Sequence, residues 1–259
     1  MTGNDMPPFR LKFSDLGLAL ALLTRLPLPA LSFDETATRP AAYAAWAYPL
    51  VGFAVGGVAA LCGLLALTLG LPPLAVALIA VFGGIVASGA MHEDGLADCA
   101  DGFWGGWERE RRLEIMKDSQ IGTYGVIALI GAIGLRWVAL SALFSASFGV
   151  VTLLSAAVVS RAAMVGVMHA LPPARAGGLS RKTGKPPRAA ALIALGIGLG
   201  ALLFAPAPFA VLILVISAAG LGTALLARTK IGGQTGDVLG ATQQIVELAI
   251  LLTCLANIS

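Results

Sequence analysis

The stretch that decides the fold runs from Met91 to Gly125, MHEDGLADCADGFWGGWERERRLEIMKDSQIGTYG. It holds Glu93, Asp94, Asp98, Asp101, Glu108, Glu110, Glu114 and Asp118, eight of the chain's fourteen acidic residues, and long apolar runs lie on both sides of it. A charged island between such runs reads as a polar loop joining membrane spans. Working outward, apolar runs of about 17–25 residues recur from Ala44 onward, the length that crosses a bilayer. The chain is 58% hydrophobic and 12% charged, about half the charge of a soluble domain. No alternating segments of roughly ten residues suggest an outer-membrane barrel. The expected fold is therefore all-α: a polytopic integral membrane protein with a single membrane-embedded domain over residues 1–259.

Seven spans are expected, at Ala44–Gly70, Leu74–Met91, Gly122–Phe144, Phe148–Ala170, Ala189–Ala205, Pro208–Ala227 and Leu239–Asn257. Before them, Leu16–Leu31 is apolar, but Arg25, Pro27 and Pro29 cut the run short of a crossing. An interfacial or re-entrant helix is expected there. Fourteen of the seventeen Lys and Arg residues then fall in the N-terminal region, 92–121, 171–188 and 228–238. With seven spans these regions share one face, which the positive-inside rule makes cytoplasmic. An inner-membrane location, a cytoplasmic site and an outward C-terminus follow as expectations.

Some chemistries are excluded early. The net charge of +3 does not call for nucleic acid. Three scattered cysteines and two histidines, His92 and His169, offer no zinc spacing.

Asp94, Asp98 and Asp101 are spaced i, i+4, i+7, so on a helix they lie within roughly 60° of one another. Carboxylates that close repel and raise one another's pKa. A divalent cation relieves this, and an all-oxygen set suits Mg²⁺ or Mn²⁺; the plainer reading is a solvated acidic face. Mg²⁺ bound this way commonly shares its sphere with substrate phosphate, and Arg109, Arg111, Arg112 and Lys117 follow in the same loop. ERERRLEIMKD also reads as an ordinary charged helix. Arg136 and Arg161 sit inside apolar runs, where a charge is costly, with Glu247 as a candidate partner. For Arg161 an ion pair and an anion-binding role are equally open. Asp237, after the Gly-Gly turn of GGQTGD, is placed at a helix start. His92 borders the acidic stripe as a base, a ligand or a hydrogen-bonding support.

HEDGLADCADGFWGG followed by LEIMKDSQIGTYG resembles the signature of the cobalamin synthase (adenosylcobinamide-GDP ribazoletransferase) family. That family usually shows HLDGLADTADG, a KDS-IG-YG element, TRLPLP near the start and GG-TGD-LGA near the end. Here these elements stand at His92–Gly102, Lys117–Gly125, Thr24–Pro29 and Gly232–Ala241, with ARAGGLS at 174–180. Glu93 stands where leucine is frequent, and Gln234, Gln243 and Gln244 also depart from the usual pattern.

The resemblance implies an Mg²⁺-dependent transferase acting late in vitamin B12 assembly. Adenosylcobinamide-GDP and α-ribazole, or its 5′-phosphate, would give adenosylcobalamin or its phosphate with release of GMP. The candidate catalytic residues are Glu93, Asp94, Asp98, Lys117 and Asp118. Candidate substrate-binding residues are Arg25, His92, Arg109, Arg112, Arg161, Thr235 and Asp237, and candidate metal ligands are Asp94, Asp98 and Asp101. Two rivals carry weaker signals. A CDP-alcohol phosphotransferase needs Arg after the alanine of D-G-x-x-A, where this chain has Asp98. A transporter would keep its acids near the bilayer midplane. Membrane lipid is an expected partner, and a homo-oligomer or a biosynthetic complex is left open.

Overall fold

The computed structural model describes residues 8–27 and 39–258. Within them the chain is built from helices: α1 (Ser14–Leu23), a 3₁₀ turn (Ala41–Ala47) running into α2 (Tyr48–Thr68), α3 (Pro73–Ser88), α4 (Met91–Gly105), α5 (Arg109–Ile115), α6 (Thr123–Ser145), α7 (Gly149–Ala170), α8 (Leu179–Thr183), α9 (Arg188–Leu202), α10 (Phe209–Ile231) and α11 (Gly236–Ile258). The one β-type pairing among the described residues is an isolated parallel bridge between Pro173 and Gln234.

Five helices are long and apolar enough to cross a membrane: Ala41–Thr68, α6, α7, α10 and α11. Each of the seven expected spans is helical, but α3 has 16 residues and α9 has 15. At about 1.5 Å per residue these reach roughly 22–24 Å, short of a ~30 Å hydrocarbon core. α3 becomes a sixth span if it is counted with α4 as one broken segment, bent by 88°. The physical reason is local. Gly89 (φ 66°) and Ala90 (φ 57°) both adopt the left-handed conformation, and the Ala90 N–H donates back to the Ile85 carbonyl at 2.9 Å. That closes α3 and sends α4 off nearly at right angles, so the acidic stripe leaves the axis of the preceding span. We read α4 as lying outside the spanning segments, across one end of the bundle.

α1 has ten residues, about 15 Å, and is too short to cross. It is pinned by Asp15, which is buried, accepts from the Trp46 indole at 2.8 Å and pairs with Arg39. The rest of the expected interfacial stretch, residues 28–31, lies outside the described residues.

Small residues let the spans approach one another. A Cβ on Gly52 would fall 2.7 Å from the Val158 Cα, so α2 crosses α7 with backbones nearly touching; such close approach drives helix association in lipid. α11 packs against α4, α6, α7 and α10. It therefore receives the acidic helix at one end and the interior of the bundle along its length.

Candidate active site

The site is built where α4 crosses the start of α11. A Cβ on Gly95 would lie 2.8 Å from the Asp237 carbonyl oxygen and 3.0 Å from its Cα, and one on Gly240 would lie 3.2 Å from the His92 Cα. The crossing is thus backbone against backbone. Thr235 caps α11: its hydroxyl accepts from the Val238 N–H at 3.3 Å and donates to Asp237 Oδ2 at 3.1 Å. The loop before it is held by Gln234, which exchanges backbone hydrogen bonds of 2.8 Å with Pro172 and Ala174. That pairing carries Arg175 to the cluster, with Nη2 3.6 Å from Asp237 Oδ2 and 3.2 Å from the Leu113 carbonyl.

Asp98, Asp94, Asp237 and Arg175 therefore share one neighbourhood. Burial raises the Asp98 carboxyl pKa to about 7; the Asp237 and Asp94 carboxylates add to the rise, as does Asp101 more weakly, and Arg175 opposes it. Asp94 is exposed and Asp98 half-buried, which leaves carboxylate oxygens open to a ligand.

Asp101 goes elsewhere. Its Oδ2 accepts from the Gly122 N–H at 2.7 Å and its Oδ1 from the Gly125 N–H at 2.9 Å. It neutralises the amide-rich start of α6. Among the described residues no three His, Cys, Asp or Glu side chains form a group able to hold a metal ion, and Asp101 is engaged by α6 apart from Asp94 and Asp98.

Glu93 also leaves the expected site. It is buried and pairs with Arg136 Nη2 at 3.0 Å, while Arg136 Nη1 reaches Glu247 at 3.5 Å. Gln244 donates to Glu93 at 3.1 Å and to Gln243 Oε1 at 2.8 Å; Gln243 donates to Ser160 at 3.1 Å and pairs with Glu247. Arg161 is buried in the same interior, donating to its own helix at Ala157, and with His92 it lines a cavity of about 40 Å³ beside Glu93, Arg136 and Glu247. The expected pairing of Arg136 with Glu247 is present. Arg161 and His92 face this interior rather than Asp94 and Asp98.

Arg109 and Arg112 are staples. Arg109 donates to the Ile231 and Ala174 carbonyls at 2.8 and 2.7 Å, and Arg112 to Lys230 and Gly106 at 3.0 and 2.9 Å. Both satisfy carbonyls that the end of α10 leaves open, in place of the phosphate expected for them. Arg25 is exposed and packs against Gly89 at the α3–α4 break. Lys117 and Asp118 are exposed on the turn before α6, where Asp118 accepts from the Gln120 N–H at 3.1 Å. The residue that reading by charge and spacing missed is Arg175; its signal was an arginine inside the Gly-rich run ARAGGLS.

The chain matches the cobalamin-5-phosphate synthase family, CobS, over residues 15–255. Among curated relatives, the adenosylcobinamide-GDP ribazoletransferase of Bradyrhizobium diazoefficiens is 44% identical over 245 residues, covering 94% of each chain. Those of Rhizobium etli and Brucella anthropi are 43% and 42% identical, covering 92% and 90% of this chain and 94% and 93% of their own. No solved structure matches. The acidic helix across the bundle end, the capped GGQTGD turn and Arg175 are thus those of a chain that belongs to the cobalamin-5-phosphate synthase family.

Proposed function

We propose that this chain is an adenosylcobinamide-GDP ribazoletransferase working at the cytoplasmic face of the inner membrane, as the names of its relatives and the basic loops at 171–188 and 228–238 support. The observation that carries the reading is an imbalance of charge. Three aspartates, Asp94, Asp98 and Asp237, meet one arginine, Arg175. Two negative charges are left over when all three are ionised; burial is the main cause of the raised Asp98 pKa, and the Asp237 and Asp94 carboxylates add to it.

These residues fit Mg²⁺ of the kind held by one or two carboxylates and completed by substrate phosphate oxygens. Asp94 and Asp98 would hold it. When bound, it supplies charge neutralisation to the diphosphate. The ribazole hydroxyl forms a new O–P bond at the phosphorus attached to the cobinamide arm, and the bond to GMP breaks. Asp237, oriented by Thr235, would take the hydroxyl proton. Arg175 neutralises the departing phosphate, and Lys117 on the turn before α6 is a further cation for the nucleotide. The work is positioning and charge balance, as phosphoryl transfer requires.

The test is direct. Purified protein in liposomes is given both substrates with and without Mg²⁺, and GMP is measured. Mg²⁺-dependent GMP release that disappears in Asp98→Asn supports the reading. GMP release that persists in Asp94→Asn and Asp98→Asn at the wild-type rate refutes the residue assignment, and none from the wild type refutes the activity.

A further inference from the structure

α4 has two opposed faces. Asp94 and Asp98 lie on one side, while Leu96, Cys99, Ala100 and Phe103 recur at i, i+3, i+4, i+7 on the other. Below that second face lies an open groove of about 450 Å³, walled by α6, α10 and α11 around Ala128, Gly222 and Ile245 and lined almost entirely by apolar surface. All three walls are helices able to span a membrane.

Its rim is polar and positive. Trp104 lines the groove, is 53% exposed, and has the Lys230 ammonium 5.6 Å from its ring centroid. Among the described residues Lys230 forms no ion pair with an acid. A tryptophan beside an unpaired basic group is the arrangement found at lipid headgroup level.

We infer that this groove is a binding site for one anionic phospholipid, its acyl chain under the apolar face of α4 and its phosphate at Lys230. Interiors are close-packed, and an apolar groove of this size left open would forfeit dispersion contacts along one whole face of α4. The occupant seats the helix whose other face carries Asp94 and Asp98.

The experiment reads lipid retention and thermal stability, neither of which depends on turnover, so it stands or falls apart from the proposed activity. Protein is reconstituted in nanodiscs of phosphatidylcholine alone or mixed with phosphatidylglycerol. Melting is followed in both, and lipid retained after transfer to detergent is counted by native mass spectrometry. Expected is a higher melting temperature in the mixed lipid and a several-fold preference for retained phosphatidylglycerol. Gly222→Leu fills the groove, since no atom lies within 4 Å of a Cβ built there, and should abolish retention and the melting shift together. Ala218→Leu, on the same wall, replaces it should the first variant not fold. Lys230→Gln should erase the headgroup preference while chain retention persists. Equal melting in both lipids, retention unchanged in the groove-filling variant, or a preference unchanged in Lys230→Gln would each overturn the site.

Discussion

Glu93 and Asp94 are neighbours on α4, yet they belong to two regions with opposite electrostatics. Inside the bundle, Glu93 and Glu247 meet Arg136 and Arg161, two acids against two bases, with Gln243 and Gln244 between them. At the bundle end, Asp94, Asp98 and Asp237 meet Arg175 alone. The interior group is matched charge for charge within the protein, while His92 Nε2, Glu93 Oε2, Arg136 Nε, Arg161 Nε and Gln244 Oε1 are buried without a hydrogen-bond partner among the described residues. In the proposed function the unbalanced one is completed by a cation from outside. The lesson is that one dense run of carboxylates can split between groups that differ in how fully the protein answers their charge.

That contrast can be broken most forcefully from the inside. Arg136→Met leaves Glu93 buried without its partner and should cost about 3–5 kcal/mol, the usual penalty for an uncompensated buried charge. Thermal unfolding in detergent would show it. Adding Glu93→Gln should recover part of the loss by restoring balance. If the double variant is no better than the single, the interior is not the charge-matched group described.

At the bundle end the order of effects reverses. Asp98→Asn should leave the melting temperature nearly unchanged and lower GMP release by about 10²-fold or more. A variant that unfolds instead would place Asp98 with the structural group.

The third prediction concerns protons. With its pKa near 7 in the fold against an ordinary value of 3.8, Asp98 in the folded chain keeps a proton between those values that the unfolded chain has lost. Metal-free protein should therefore lose stability as pH rises from about 4 to 7. Mg²⁺ needs the carboxylate free, so its affinity should fall by up to about tenfold per pH unit below 7. Calorimetric titration at several pH values checks this, and Asp98→Asn should flatten the dependence. The smallest effect is expected at Thr235→Ala, which removes the cap of α11 and should cost about 1 kcal/mol, together with a modest loss of activity through the freed Asp237 side chain.

How much of this could be read beforehand follows from what each feature depends on. Helix type, the positions of the runs and the Asp94–Asp98 spacing are local, set by hydropathy and the 3.6-residue period, and the structure keeps them. The 88° turn at Gly89–Ala90 needs a non-glycine residue in the left-handed region, which no pattern announces. Asp101 was grouped with its neighbours by period, but its partners lie 21 and 24 residues later, at the start of α6. Arg109 and Arg112 looked available for phosphate because their acceptors, carbonyls at the end of α10, are more than a hundred residues away. Arg175 was overlooked for the converse reason, since only the pairing of two distant loops brings it to Asp237.

The contact of Gly95 with the main chain of Asp237 has a mechanical meaning. The opening between the acids of α4 and the acid of α11 is gauged by two polypeptide backbones resting on each other, with no side chain between them to flex. A single methyl group at position 95 would act as a shim, widening that opening while leaving every charged residue in place.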